Sequence, residues 1–207
     1  MNINVLNSEN NIVGNFDLSF LNVKVLRKDI IRRVILWQRS VNRVSIASTK
    51  SVSEISGSTK KLYRQKGSGR ARHGARRRNI FVGGAIAFGP KLEKKYSFFL
   101  NKKLRKLALR YSILLMAQSK NLLIYNNLTL ATNKTNYFIK TYSFIKRRKI
   151  LFVDETFEKN FYLSCRNIPN VNMLVTSGIN SYDIVASDKI CFSMGSLIKL
   201  KEVLLRC

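Results

Sequence analysis

Apolar and polar positions alternate at the start of the chain, in INVLN at 3–7 and NIVGNFDL at 11–18 around Gly14, and this two-residue period predicts a pair of short strands. The period then lengthens. Ile30, Val34, Trp37 and Val41 recur at three- and four-residue spacing while Arg32, Arg33 and Arg39 fall largely off that stripe, so a helix is expected over about 27–43. Trp37 reads as a core or interface aromatic on it. A second helix is expected from Asn101 to Ser119, with Leu104, Leu107, Ala108, Tyr111, Leu114 and Leu115 on one face. After it, apolar runs at 121–126, 149–154, 171–176 and 188–193 alternate with helical stretches near 134–146, 156–166 and 196–206. Short runs without polar alternation suit strands buried on both faces of a parallel sheet, and the interleaved helices supply the two covers. The expected fold is therefore α/β, three layers α/β/α with a mostly parallel central sheet, as a single domain over 1–207.

One interval breaks the pattern. Between 44 and 96 the periodicity vanishes, and 57–89 holds seven of the ten glycines. A structureless insertion of this length inside a compact domain is expected only where it is functional or is ordered by something outside it. Its charge indicates what that is. Residues 59–78 carry Lys60, Lys61, Arg64, Lys66, Arg70, Arg72, Arg76, Arg77 and Arg78 and no acid, so the segment cannot neutralise itself.

The whole chain repeats this imbalance, with 38 Lys and Arg against 11 Asp and Glu, a formal +27 over 207 residues. Such a surface repels itself and calls for a polyanion, nucleic acid before membrane. No apolar run approaches the roughly 18 residues of a membrane span. Basic character continues through 94–153, which has 14 Lys or Arg and no acid, and so includes Lys102, Lys103, Arg105 and Lys106 on the second helix. Asp154, Glu155, Glu158, Asp183, Asp188 and Glu202 follow later, which predicts an RNA-facing side and an opposite, acid-bearing one. The first 23 residues lack Lys and Arg and show no targeting segment. Cys165, Cys191 and Cys207 have no metal-ligand spacing and are expected as reduced thiols.

Glycines admit close backbone approach, Arg offers a planar fork for phosphate, Lys91 adds a further cation, and Tyr63, Phe81 and Phe88 are candidates to stack on unpaired bases. Enzyme patterns are weak. Gly67-Ser68-Gly69 has Arg72 where a dinucleotide fingerprint needs its third glycine, and no phosphate-loop string occurs. Ser58-Thr59-Lys60-Lys61 matches S-x-x-K, a coincidence expected in a chain so rich in Ser and Lys. His73, the only histidine, has no neighbouring carboxylate to orient it and is expected to contact RNA. Asp154 and Glu155, just after a strand, read as loop and helix start. No catalytic residue, metal or cofactor is expected, and the alternative to a scaffold bound to structural RNA is a free-standing RNA-binding or RNA-modifying protein.

The string Lys60-Lys61-Leu62-Tyr63-Arg64-Gln65-Lys66-Gly67-Ser68-Gly69-Arg70-Ala71-Arg72, then Gly74, resembles the universal large-subunit ribosomal protein four family in its bacterial form. Phe88-Gly89-Pro90-Lys91, the helix Lys102-Lys103-Leu104-Arg105-Lys106-Leu107 and the ending DIVASDKICFS carry the likeness along nearly the whole chain. The resemblance implies a structural protein of the large ribosomal subunit, bound to its ribosomal RNA and to neighbouring ribosomal proteins, that assists early assembly and does not catalyse peptide transfer. It also implies that Lys61, Tyr63, Arg64, Gln65, Lys66, Gly67, Gly69 and Arg70 approach the polypeptide exit tunnel and the nascent peptide, where some members influence macrolide action. Leu62 replaces the family's proline, Val82 an arginine and Ala85 the third glycine of a run; Leu92, Glu93 and Asn101 also depart. Enrichment in Asn, Lys and Ile points to an A/T-biased genome. The expected location is the ribosome of a bacterial cytoplasm, with a mitochondrial matrix as the alternative.

Overall fold

The computed structural model describes residues 2–21 and 25–205, so Cys207 lies outside the described residues. The chain divides into two compact units, Met1–Gln38 with Phe99–Cys207, and Arg39–Phe98. The first holds the regular structure. β1 (Asn2–Leu6) and β2 (Ile12–Asp17) precede α1 (Lys28–Asn42) and α2 (Lys102–Gln118). Then come β3 (Leu122–Tyr125), α3 (Thr135–Thr141), β4 (Ile150–Asp154), α4 (Lys159–Cys165), β5 (Val171–Val175), α5 (Ser181–Ala186), β6 (Lys189–Ser193) and α6 (Met194–Leu205).

The six strands form one sheet in the order β2-β1-β3-β6-β4-β5. All neighbours are parallel except β1 and β2, an antiparallel hairpin at one edge. Asn10 closes that hairpin at φ 64°, a left-handed conformation that Asn tolerates. The apolar strand runs expected from sequence appear because both faces are covered. Along β4, Leu151 and Val153 enter one core with residues of α2, α5 and α6, while Ile150 and Phe152 enter another with residues of α3 and α4. Three layers follow from that alternation. The second core is aromatic. Phe138 lies edge-on or tilted to Tyr142, Phe152 and Phe161 at 5.0 to 5.7 Å between ring centres, and all four are fully buried.

Three local readings change. The stretch expected as one helix over 134–146 is α3 followed by a 3-10 turn at Ser143–Arg147, because Tyr142 leaves helical geometry (φ −108°, ψ 62°) and its ring is buried against Phe138 and Phe152. α5 is missing from the pattern reading: six residues are too few to show a period. On α1, Ile30, Val34 and Trp37 pack together with Leu100 and Ala108 as the spacing predicts, but Ile31 is buried as well and Val41, at the end of the stripe, is half exposed.

The carboxyl ends of the parallel strands are a common place for ligands. Here the ends of β4, β5 and β6 are tied together. Ser193 Oγ and the Glu155 amide donate to Asp154 Oδ1 at 2.6 and 2.7 Å, Thr176 Oγ1 donates to the Asp154 carbonyl, and Ser196 Oγ reaches the Val153 carbonyl. Asp154 thus joins β4, β5 and β6. Among the described residues no group of three or more His, Cys, Asp or Glu is arranged to hold a metal ion, and no helix is long and apolar enough to cross a membrane.

Candidate nucleic-acid interface

Between α1 and α2 the backbone forms neither helix nor strand, as the lost periodicity predicts. It is nevertheless held. Ser45 Oγ donates to the Lys91 carbonyl at 2.9 Å, the Thr49 amide to the Pro90 carbonyl at 3.0 Å, and the Ile86 amide to the Lys50 carbonyl at 3.1 Å. Further in, the Leu62 amide donates to the Gly74 carbonyl at 3.2 Å and the Tyr63 hydroxyl to the Ala71 carbonyl. These pairs nest. The segment doubles back on itself, and residues 64–70, the string RQKGSGR, close the innermost turn.

Glycine is needed at that turn because Gly67 and Gly69 lie at φ 75° and 63°. Lys61 Nζ donates to Gln65 Oε1, and Arg64 reaches the Gly67 carbonyl at 3.4 Å. Leu62 is where the related pattern has proline; its amide makes a bond a proline could not, so the departure adds a tie. Ala85, at the place of the third glycine, is buried, whereas Val82 is fully exposed. A Cβ at Gly84 would collide with the Arg78 carbonyl oxygen, so that glycine is required by close approach.

Behind the turn sits a small core. The His73 ring stands edge-on to Phe81 at 5.0 Å and to Tyr63 at 6.3 Å, with Ala75 and Ala85 buried in the same unit. Tyr63 and Phe81, read from sequence as candidates for base stacking, thus each meet His73 edge-on inside the segment, whereas Phe88 stands exposed. His73 Nδ1 is buried without a hydrogen-bond partner among the described residues.

The cations stay outside. Lys60, Arg64, Lys66, Arg70, Arg72, Arg76, Arg78 and Lys91 are exposed, and Ser68 and Arg77 are half-buried. Lys60, Lys61, Arg76 and Arg77 line one cleft of about 550 Å³; Lys61, Gln65, Arg72, His73 and Arg78 line a second of about 400 Å³. Residues 39–98 hold fifteen Lys or Arg against Glu54 and Glu93. Glu54 is occupied locally: it accepts from the Ser51 amide at 2.6 Å, and that bond, helped by Lys91, holds its carboxyl below the ordinary value. Two concave walls of positive charge, near a turn whose glycines present bare backbone, have the chemistry that suits a phosphate chain.

The helix cations belong to the other unit. Lys102, Lys103, Arg105 and Lys106 occupy the start of α2, behind the N-cap Asn101, whose side chain accepts from the Lys103 amide at 3.3 Å. Cations at a helix start oppose its dipole, so this end favours an external anion. Lys102, Lys103 and Lys106 are exposed, but Arg105 is half-buried with its guanidinium 4.6 Å from the Trp37 ring, so part of its binding capacity serves the α1–α2 contact.

The sequence profile of the ribosomal protein L4/L1 family matches residues 17–203. The chain belongs to this family. Curated relatives named large ribosomal subunit protein uL4 match along nearly their whole length. The protein of Anaplasma marginale (strain Florida) is 36% identical over 199 residues, 95% of each chain. That of Ehrlichia canis (strain Jake) is 36% identical over 206 residues, 99% of this chain and 100% of the other. That of Halothermothrix orenii is 37% identical over 200 residues, 95% of each. The resemblance read from the RQKGSGRAR string thus holds at the level of the family, and these relatives are bacterial.

What sequence reasoning missed is the stem of the segment. Arg43 stacks over Tyr96 at 4.0 Å, and Ser45, Thr49 and Lys50 pair with residues 36 to 46 positions away. No local signal marks a Ser or Thr whose partner is that distant.

Proposed function

We propose that this chain is a structural constituent of the large ribosomal subunit that binds large-subunit ribosomal RNA through the 44–96 segment and the start of α2. Membership of the L4/L1 family supports this, as do full-length relatives whose names place them in the large subunit. One observation carries the residue-level reading: the nested pairs put the acid-free RQKGSGR string at the end of a doubled segment with its cations pointing outward. Lys60, Lys61, Arg64, Lys66, Arg70, Arg72, Arg76, Arg77, Arg78, Lys91, Lys102, Lys103 and Lys106 are its phosphate-directed contacts. Gln65, Gly67, Ser68 and Gly69 give backbone approach, and Tyr63, His73 and Arg105 contribute from half-buried positions. The chain acts as one α/β domain over 1–207 interrupted by this segment.

In the same reading the 64–70 turn reaches the polypeptide exit tunnel and meets the nascent peptide, neighbouring large-subunit proteins contact the α/β unit, and the protein supports early assembly without catalysing a reaction. Its place is the ribosome of a bacterial cytoplasm. Cosedimentation of the tagged chain with large subunits at low and moderate salt tests the proposal. Retention at both is expected, and recovery only in the free fraction overturns it. With about eight phosphates neutralised, log K for ribosomal RNA falls against log salt with a slope of roughly −6.

A further inference from the structure

Resting on that reading, we infer that Phe88 is a dedicated stacking residue for an unpaired base of the RNA, presented by a clamp built into the segment. Three features meet here. Phe88 lies at φ 57°, a left-handed conformation unfavourable for a bulky side chain. It is fully exposed, at 108% of its reference area, so no contact among the described residues offsets that strain. And the backbone on both sides is pinned. The Ile86 amide donates to the Lys50 carbonyl at 3.1 Å, and the Pro90 carbonyl accepts from the Thr49 amide at 3.0 Å and from Thr49 Oγ1 at 3.3 Å.

The clamp leaves the chain no other path. A Cβ at Gly89 would collide with Thr49 Oγ1 and would sit 3.1 Å from Ile86 Cγ2, so Gly89 must be bare for the two pinned ends to close. Between them Phe88 is forced to the apex and its ring outward. Beside it opens a concavity of about 510 Å³ lined by Phe88, Gly89, Pro90, Lys91, Glu93 and Lys94. Two cations and one acid on that wall, in a unit carrying fifteen cations and two acids, fit a polyanion better than an apolar protein surface. A flat ring flanked by lysines serves a base and its phosphate together: the ring takes the π face and the ammonium groups take the backbone. Tyr63 and Phe81, turned onto His73, leave this role to Phe88.

The full-length protein is titrated onto a transcript of the large-subunit ribosomal RNA across a range of salt. Phe88→Ala is expected to weaken binding about tenfold or more with an unchanged salt slope, since stacking releases no counterions. Phe88→Trp should retain wild-type affinity. Phe88→Asn separates binding from folding: Asn accepts the left-handed backbone, so its melting temperature should equal or exceed wild type while its RNA affinity falls with that of the alanine variant. A photoreactive benzoylphenylalanine at position 88 should crosslink to RNA in assembled subunits. Alanine binding within twofold of wild type, or a crosslink to a ribosomal protein in place of RNA, overturns the inference. The control is a variant with Lys60, Lys61, Arg64, Lys66 and Arg70 changed to Gln. If it weakens while Phe88→Ala does not, stacking alone fails; if neither weakens, the RNA-binding reading fails with it.

Discussion

The two units of this protein solve the problem of order in opposite ways. In the α/β unit each central strand sends alternate side chains into two apolar cores, and Phe138, Tyr142, Phe152 and Phe161 are wholly removed from water. Burial of each such side chain contributes about 1.5 to 3 kcal/mol, so this unit carries its own stability. In the 39–98 unit only Ala75 and Ala85 are buried among the apolar residues, while Val82, Phe88, Ile80 and Ile46 stand in solvent. Its path is set by a few backbone bonds and one small aromatic cluster, against the mutual repulsion of fifteen cations. A fold can therefore devote one region to holding itself together and leave another unsatisfied, in charge and in apolar surface, for a partner to complete.

The largest test of this contrast is Phe152→Ala. It should cost about 3 to 5 kcal/mol of stability, read by chemical denaturation, because the surrounding rings lose a shared neighbour. A loss below about 1 kcal/mol would mean that the aromatic core does not hold the unit. Next, the five-residue Gln variant of the 60–70 cations should lower the steepness of log K against log salt by about 0.7 for each phosphate left without its cation, with stability changed by no more than about 0.5 kcal/mol. A large drop in its melting temperature would dissolve the division between a self-stabilised unit and a partner-stabilised one.

Arg105→Ala sits at the meeting of the two roles. Removing its stacking on Trp37 should destabilise by about 0.5 to 2 kcal/mol, and Trp37 fluorescence should report the change. Lys103→Ala should leave both stability and fluorescence unmoved. The smallest effect concerns alkaline pH. Burial pushes the Cys165 thiol up to about 12, and burial also raises Cys191, both from an ordinary value of 9.0. The unfolded chain ionises these thiols before the folded one does, so their contribution is complete below about pH 9 and declines as pH rises towards 12. Denaturation midpoints should fall over that window, and mass mapping after alkylation at about pH 8 should find Cys165 and Cys191 unmodified.

Much of this was legible in the residues. The two-residue period of INVLN and NIVGNFDL, the unbroken apolar runs of β3 to β6 and the helical spacing before 43 and after 101 mark the elements, because each reflects which side of an element faces water. The RQKGSGRAR string marked the family. Other features were not legible. α5 is too short for a period, and the break after α3 depends on where Tyr142 finds its aromatic neighbours. Among Tyr63, Phe81 and Phe88 nothing local distinguishes a ring packed on His73 from a ring held in solvent.

By itself, then, the sequence determined the alternation of elements, the charge that demands a polyanion and the motif that assigns the family, since periodicity and composition are properties of neighbouring residues. Only the tertiary structure decided that residues 64–70 close the innermost turn, that Arg105 is shared with Trp37, and that Phe88 is clamped outward by Thr49 and Lys50. Each of those depends on partners brought together across the chain, and a pairing between distant residues leaves no trace in the residues beside either one.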